Sequence, residues 1–405
     1  GGKLYHVSHD IKTALKKTLL PDSSMFESMG FSYMGPVDGH DVEALTQSLQ
    51  WAREQRCPVL LHVRTVKGKG YSPAEERPAD YHGVSPFDPV TGKPLRTAKM
   101  DFSHVFGQEL TALAGEDGRV CAITAAMQEG TGLTEFARKY PDRLFDVGIA
   151  EGHAVSMAGG MAKQGLVPVF AVYSSFLQRG YDQLLQDVAL DGLHVVLGVD
   201  RAGLVGADGE THHGCFDALY LSQVPHMTVL CPASFAELRQ MLRRAVLELT
   251  GPVAVRYPRG GEGAYQDCCG NETFTQVRPG ADCTILTYGV LINEALAAAE
   301  LLHEAGVETR VVKLNAIAPL DGNAVLAALG SEKRLLVLED CVGSGCVGQR
   351  LTAILAQRGR MPERLILKNL GDTIPCHGTV PQLYAQCGLD AASVAAALKE
   401  ACHEQ

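Results

Sequence analysis

One carboxylate stands alone in an apolar stretch rich in small residues, LFDVGIAEGHAVSMAGGMA at 144–162. Glu151 lies near its middle, and His153 follows two residues later. The sequence before Glu151 is typical of a strand and the sequence after it of a helix. A carboxylate at such a junction is stabilised by the positive end of the helix dipole, which slightly favours a structural role. The surrounding glycines would let a flat ligand approach, so a functional acid is the alternative.

The strongest local indication of chemistry is the segment DRAGLVGADGETHHGCFD at 200–217. It is rich in glycine and follows LHVVLGV, which predicts a buried strand. Its closely spaced titratable residues are Asp208, Glu210, His212 and His213. A plain surface loop seldom concentrates such groups directly after a strand, so a functional loop is favoured. A metal site is the rival interpretation, but no nearby residues complete a ligand set.

Two other predicted strand ends carry aromatic or basic residues. Tyr173 and Phe176 follow one strand, with Arg179 three residues later. Ligands bind at the carboxyl edge of parallel sheets, although ordinary helix packing explains this pattern equally well. Arg256 and Arg259 follow another strand beside glycines. A guanidinium suits phosphate or carboxylate oxygens, and a solvated salt bridge is the alternative.

The elements that must position these residues alternate between strands and helices, which predicts βαβ units and mostly parallel sheets. We interpret 98–270 as one α/β domain and 275–405 as a second α/β domain. Residues 1–97 are interpreted as the C-terminal remnant of a third α/β domain, followed by a linker rich in glycine and proline.

Local patterns place particular elements in these blocks. The segment 41–55 predicts a helix with Asp41 as its N-cap, and 57–66 predicts a strand. The strands predicted farther along are RVCAIT, RLFDVGI, LVPVFAVYS, LHVVLGVD, HMTVLCP, PVAVRYP, CTILTYG, ETRVVKLN and RLLVLED. A final Ala-rich helix is predicted at 391–402.

Bulk composition excludes several classes of protein. The 405 residues carry a formal net charge of −10, and their one compact basic run, RTVKGKGY at 64–71, is short, which argues against nucleic-acid binding. No apolar run reaches the about 18 residues of a membrane helix, and no signal peptide is visible. The 12 cysteines show no CxxC spacing. Such thiols indicate a reducing compartment, and we predict a cytoplasmic protein.

Together these motifs resemble the thiamine-diphosphate transketolase superfamily and, within it, the 1-deoxy-D-xylulose-5-phosphate synthase family. The matching segments occur in family order and cover most of the chain: GFSYMGPVDGHD, KGKGYSPAE, FDVGIAEGHAV, YSSFLQRGYDQ, DRAGLVGADGETHHGCFD, RYPRG, LVLED and HGTVPQLY. The resemblance implies a pyrimidine-binding domain, a transketolase C-terminal domain and a homodimer. It also implies a transferase that condenses pyruvate with D-glyceraldehyde 3-phosphate and releases CO2.

The resemblance further assigns cofactor contacts. Glu151 matches the glutamate that hydrogen-bonds N1′ of the aminopyrimidine of thiamine diphosphate. Tyr173 and Phe176 match the aromatic surroundings of that ring and the substrate. Tyr71 matches a tyrosine that reaches the cofactor from the first domain.

Substrate and catalytic roles are implied in the same way. Arg179 and Arg259 match the arginines that hold the phosphate of the acceptor. Asp208 and His212 match groups near the sugar hydroxyls and the reacting carbon, and His82 matches a further active-site histidine. His213 matches no residue with an assigned role.

Two departures from the family pattern stand out. Gly152 occupies the position after the glutamate where the family usually has glutamine. The Gly-Asp-Gly motif and downstream asparagine that hold Mg2+ and diphosphate are also missing. We therefore expect those ligands on an N-terminal domain that precedes Gly1. We expect the present chain to bind the cofactor weakly and to be inactive by itself.

Two other interpretations remain. The first is a β-type subunit of a 2-oxo-acid dehydrogenase E1, against which the segment 1–97 argues, because it resembles the end of a fused diphosphate-binding domain. The second is a non-catalytic partner subunit. The retained residues Glu151, Arg179, Asp208, His212 and Arg259 argue against it.

Overall fold

The chain is seen in a computed structural model that describes residues 24–78, 80–84, 86–95, 99–268, 272–329 and 333–403. The first part of the predicted 1–97 block, residues 1–23, lies outside the described residues. The chain divides into two compact units, Gly1–Ala98 and Lys99–Gln405. Within the described ranges, every helix is too short or too polar to cross a membrane.

The smaller unit contains two parallel strands, β1 (Ser32–Asp38) and β2 (Val59–Arg64). Helix α2 (Val42–Glu54) lies between them in sequence. The Asp41 carboxylate accepts a hydrogen bond from the Ala44 N–H at 3.0 Å, which confirms the predicted N-cap. Strand β1 escaped prediction because a glycine and a proline interrupt its alternation. The unit also contains the short helices α1 (Ser24–Ser28) and α3 (Ser72–Glu76).

The larger unit contains a seven-stranded sheet with the strand order β12-β7-β8-β6-β5-β3-β4. Neighbouring strands are parallel except for β12 against β7, which confirms the predicted mostly parallel sheet. All residues of β3 and β6 are buried, so helices cover both faces, as continuous apolar runs require. The strands are β3 (Val120–Thr124), β4 (Leu144–Asp146), β5 (Val167–Tyr173), β6 (Val196–Asp200), β7 (Thr228–Leu230), β8 (Val253–Arg256) and β12 (Ala316–Ala318).

The helices around this sheet include one unusual element that runs beside the predicted site. Residues Leu184–Ala189 form a π-helix, a rare conformation that is frequent at functional sites. The α-helices are α4 (Phe102–Glu116), α5 (Thr134–Lys139), α6 (Glu151–Lys163), α7 (Ser174–Leu177), α8 (Tyr181–Gln183), α9 (Asp217–Gln223) and α10 (Phe235–Leu247).

A second sheet of five strands has the order β14-β13-β10-β11-β9, in which only β9 is antiparallel to its neighbour. Its strands are β9 (Phe274–Arg278), β10 (Cys283–Tyr288), β11 (Thr309–Leu314), β13 (Arg334–Leu338) and β14 (Arg364–Lys368). Its helices are α11 (Ile292–Glu304), α12 (Gly322–Leu329), α13 (Val347–Gln357), α14 (Val380–Cys387) and α15 (Ala391–His403). Helix α15 confirms the predicted final helix.

A buried ion cluster connects elements of the two sheets. Arg256, at the end of β8, donates from Nε to Asp217 Oδ1 at 2.9 Å and from Nη2 to Asp340 Oδ1 at 3.0 Å. The Arg256 side chain is only 4 % exposed and that of Asp217 is fully buried. Of the two interpretations of Arg256 from sequence, the structure agrees with the ion pair, although this pair is buried rather than solvated.

A second buried pair lies at the same boundary. The side chains of Lys313 and Glu237 are both fully buried, with Lys313 Nζ 3.0 Å from Glu237 Oε2. The Tyr265 hydroxyl donates to Glu237 Oε1 at 2.9 Å. Buried charges are tolerated only when they are paired and hydrogen-bonded, and this pair joins α10 to strand β11 of the second sheet.

Candidate active site

Glu151 is the first residue of α6 and its side chain is 2 % exposed. Arg179 Nη1 donates to Glu151 Oε1 at 2.5 Å. Among the described residues, none donates a hydrogen bond to Oε2. The carboxylate therefore has the helix N-terminus that was considered from sequence and, in addition, the cation of Arg179, and its other oxygen is left for a ligand.

An aromatic ring connects this ion pair to the predicted functional loop. The Phe176 ring centroid lies 4.9 Å from the Arg179 guanidinium carbon. The same ring lies 5.6 Å from Tyr173 and 5.3 Å, edge to face, from His212. The strand end at 173 and the loop at 200–217 thus meet beside Glu151, as the rule for parallel sheets predicts.

A second group of charged side chains lies next to Tyr173. Asp208 Oδ2 accepts a hydrogen bond from Arg201 Nη1 and lies 3.5 Å from Arg259 Nε. The Arg201 guanidinium carbon lies 3.8 Å from the Tyr173 ring centroid. Two guanidinium groups therefore converge on one carboxylate, an arrangement whose excess positive charge suits an anion.

Sequence reasoning missed Arg201, although it directly follows the buried strand β6. Its backbone adopts φ +60°, the left-handed region that non-glycine residues seldom occupy. Such backbone strain concentrates at functional sites. Its place immediately after an apolar strand was the available signal, since sheet edges bind ligands.

The two arginines predicted to share one phosphate contact different carboxylates in this structure. Arg179 pairs with Glu151, and Arg259 approaches Asp208. Arg259 Nη1 also donates to the Val205 carbonyl at 3.2 Å.

Two predicted site residues, Tyr71 and His82, belong to the smaller compact unit. The Tyr71 hydroxyl donates to the Pro89 carbonyl at 3.0 Å, and its ring lies 5.6 Å from Tyr81. His82 Nδ1 lies 2.9 Å from Lys67 Nζ. Their roles at the site remain predictions.

His213, which had no predicted role, is hydrogen-bonded to the backbone of its own loop, 200–217. Its side chain is buried, and Nδ1 accepts a hydrogen bond from the Val205 N–H at 3.2 Å. Burial lowers the pKa of this imidazole, which keeps it neutral and able to accept a hydrogen bond.

The same loop approaches the second sheet at Gly203. Gly203 has φ +73° and lies so near Asp340 that a Cβ on it would be 1.9 Å from Asp340 Oδ2. The loop thus packs closely against Asp340, which follows strand β13 of the second sheet.

Asp200 is a fully buried carboxyl at the end of β6. Ser103 Oγ donates to its Oδ2 at 2.7 Å, and Oδ1 has no partner among the described residues. Burial raises the pKa of Asp200 to about 7, although the Ser103 hydrogen bond and the Arg201 charge oppose the rise. The folded protein therefore binds a proton that the unfolded chain has released between about pH 4 and pH 7.

This titration predicts a pH-dependent effect of Asp200→Asn. Wild-type stability should fall as the pH rises through that window, by on the order of 4 kcal/mol in total, because the unfolded state gives up its proton first. Asparagine stays neutral, so the free energy of unfolding of the variant, measured with urea, should rise relative to that of wild type between pH 5 and pH 8. Asp191→Asn, at an exposed ion pair, is the control. A stability difference for Asp200→Asn that stays constant with pH would contradict the prediction.

No group of three or more His, Cys, Asp or Glu side chains in the described ranges is placed to hold a metal ion. The residues gathered around Glu151 instead offer a buried carboxylate, aromatic rings and guanidinium groups. Such a set can bind a polar heterocycle at one end and an anion at the other.

Three parts of the chain match known families. Residues 98–261 match the family described as transketolase, pyrimidine binding domain, and 273–394 match transketolase, C-terminal domain. Residues 1–65 match 1-deoxy-D-xylulose-5-phosphate synthase.

Curated relatives carry the same family name. The chain is 44 % identical over 384 residues to a 1-deoxy-D-xylulose-5-phosphate synthase of Desulforudis audaxviator, covering 94 % of the chain and 60 % of that protein. It is 42 % identical to that of Pelotomaculum thermopropionicum, covering 99 % of the chain and 63 % of the relative. The chain thus spans less than two thirds of the length of these relatives.

Solved structures share the fold. A split-gene transketolase, described as an inactive beta4 tetramer, aligns with a TM-score of 0.65 at 25 % identity, covering 74 % of this chain and 97 % of that chain. A Pichia stipitis transketolase aligns with a TM-score of 0.62 at 14 % identity, covering 76 % and 46 %. These alignments agree with the predicted α/β domains of transketolase type.

Proposed function

The chain belongs to the 1-deoxy-D-xylulose-5-phosphate synthase family, and we propose that it carries the pyrimidine half of a thiamine-diphosphate site. The reaction proposed is the condensation of pyruvate with D-glyceraldehyde 3-phosphate, with release of CO2. The observation that carries the proposal is the buried Glu151 at the start of α6: within the described ranges only its Oε1 accepts a hydrogen bond, from Arg179, and that arginine lies over the Phe176 ring.

The residues around Glu151 fit an aminopyrimidine. A carboxylate oxygen can hydrogen-bond a ring nitrogen, and Phe176 and Tyr173 supply apolar faces for a flat ring. When bound, thiamine diphosphate supplies the carbanion chemistry at the carbonyl carbon of pyruvate. The contribution of Glu151 is to hold a proton at N1′ of the ring. Arg179 holds the carboxylate in place from the side, and the aromatic rings exclude water.

The acceptor phosphate is proposed to bind at the convergent arginines. Arg201 and Arg259 face the same Asp208, and their two positive charges exceed its single negative charge. Phosphate oxygens would complete the hydrogen bonding of the guanidinium groups. We assign Arg179 to the same anion, with His212 and Asp208 beside the hydroxyl groups of the substrate. We also propose that Tyr71 contacts the cofactor and that His82 is an active-site histidine, as the family resemblance implies.

Mg2+ and the diphosphate are proposed to be held by residues outside the 405, so that this chain alone binds the cofactor weakly and does not turn over. The split-gene transketolase of comparable extent, described as an inactive tetramer, supports this view. We further propose a cytoplasmic homodimer, in keeping with the family.

Reconstitution tests the proposal. The 405-residue chain should release no CO2 from pyruvate with thiamine diphosphate, Mg2+ and D-glyceraldehyde 3-phosphate. The same chain, joined to the segment that precedes the matched region of the Desulforudis audaxviator relative, should form 1-deoxy-D-xylulose 5-phosphate. Turnover by the chain alone would refute its dependence on that segment. Preference for a lipoyl acceptor would favour the dehydrogenase subunit instead, and no turnover in the joined form would favour the non-catalytic subunit.

A further inference from the structure

In the first turn of α6, the residue beside Glu151 has no side chain, and Gln183 from another segment occupies the space. Position 152 is glycine, and a Cβ there would lie 3.2 Å from Oε1, 3.3 Å from Cδ and 3.6 Å from Nε2 of Gln183. The amide of Gln183 therefore lies flat against the backbone of Gly152. It occupies the space into which a side chain at 152 would extend.

Packing, rather than hydrogen bonding, holds this amide in place. Gln183 Oε1 is buried and has no hydrogen-bond partner among the described residues. A buried acceptor without a donor costs stability. The amide of Gln183 is therefore not stabilised by a hydrogen bond to Oε1, and the contact with Gly152 is what its position provides.

The segment that carries Gln183 is closely fitted to α6. Gln183 ends α8, and the π-helix Leu184–Ala189 continues from it. Farther along, Ser156 Oγ donates to Asp187 Oδ2 at 2.5 Å. A Cβ on Gly159 would lie only 2.6 Å from the Asp187 carbonyl oxygen. The π-helix thus runs against α6 at backbone distance, which fixes where the Gln183 amide meets the first turn.

We propose that Gln183 is a positioning residue for Glu151: its amide replaces a side chain at position 152 and holds the first turn of α6. The inference rests on the proposed function, in which Glu151 binds an aminopyrimidine. A shift of the first turn would move the carboxylate relative to the ring, and hydrogen bonds to charged groups depend steeply on geometry.

A double-mutant cycle between positions 152 and 183 tests the proposal. The probe is thiamine, titrated against the 405-residue chain by ligand-observed NMR, with melting temperature recorded in parallel. Gln183→Ala should weaken thiamine binding about tenfold by opening the gap. Gly152→Gln should weaken it similarly by colliding with the Gln183 amide. The double variant should return to within about threefold of wild type, because each change relieves the other.

Two further variants test whether the shape or the polarity of the Gln183 side chain matters, and whether a substitution in this segment disturbs folding. Gln183→Met keeps the length of the side chain but removes the unpaired acceptor. It should bind thiamine as wild type does and melt at the same or a higher temperature. Gln186→Ala, on the exposed side of the π-helix, is the matched control and should change neither quantity.

The outcomes distinguish this inference from the function on which it rests. Suppose that wild type binds thiamine, but Gln183→Ala binds it equally well or the double variant binds it no more tightly than the single variants. The positioning role is then refuted, while the proposed function stands. If Gln183→Met binds as weakly as Gln183→Ala, polarity rather than shape is responsible and the proposal falls. Failure of the wild-type chain to bind thiamine would refute the pyrimidine site itself.

Discussion

Replacing Arg256 with methionine should lower the free energy of unfolding by about 3–5 kcal/mol, because it leaves two buried carboxylates without their cation. Asp217 and Asp340 both receive hydrogen bonds from this guanidinium. Burial raises the pKa of Asp217, and Arg256 opposes that rise. Without the arginine, the carboxyl should take up a proton more readily. The loss of stability should therefore be greater at pH 8 than at pH 5.

Urea unfolding at the two pH values measures this effect. Arg119→Met, which breaks an exposed ion pair with Asp117, is the matched control and should cost at most about 1 kcal/mol. Adding Asp217→Asn and Asp340→Asn to Arg256→Met should recover part of the loss by removing the uncompensated charges. An effect of Arg256→Met no greater than that of the exposed control would show that the buried cluster is not needed for stability.

Glu151→Gln should lower kcat by about 10²–10⁴-fold in the enzyme joined to its relative's N-terminal segment, the range for loss of a positioned acid or base. Glutamine keeps the shape of the side chain and can still accept from Arg179. Folding should therefore be intact, and the loss should appear in turnover. CO2 release from pyruvate measures it under saturating cofactor.

The control for this substitution is Glu248→Gln, which removes an exposed carboxylate at the end of α10. It should leave turnover unchanged. A Glu151→Gln enzyme that keeps more than a tenth of wild-type kcat would contradict the role proposed for the carboxylate, whatever its stability.

The central strands were predictable because they are buried on both faces, which produces uninterrupted apolar runs such as LHVVLGVD. Those that escaped prediction are β1, β9, β12 and β14. Strand β12 has only three residues, β9 pairs antiparallel at the edge of its sheet, and β14 also lies at an edge. Short and peripheral strands bury less apolar surface, so their sequences carry a weaker periodic signal.

The strand ends that form the candidate site were predictable from sequence, but the contacts between their side chains were not. The carboxylate at 151 and its arginine at 179 are 28 residues apart, and local periodicity holds no information about such a contact. The strained backbone of Arg201 likewise depends on the tertiary structure. Gly152 was recognisable as unusual from sequence, whereas Gln183 on α8 lies against it only through the tertiary packing of α8 on α6.

Strand β12 has a consequence for the order in which the protein folds during synthesis. It pairs with β7 through Ala316 and Leu230, so the seven-stranded sheet against which α6 packs gains its last strand from the following block. At about 5–20 residues per second, the ribosome needs roughly 4–17 s to pass from Leu230 to Ala316. During that interval the outer edge of β7 exposes unpaired backbone groups, which can recruit strands from other nascent chains.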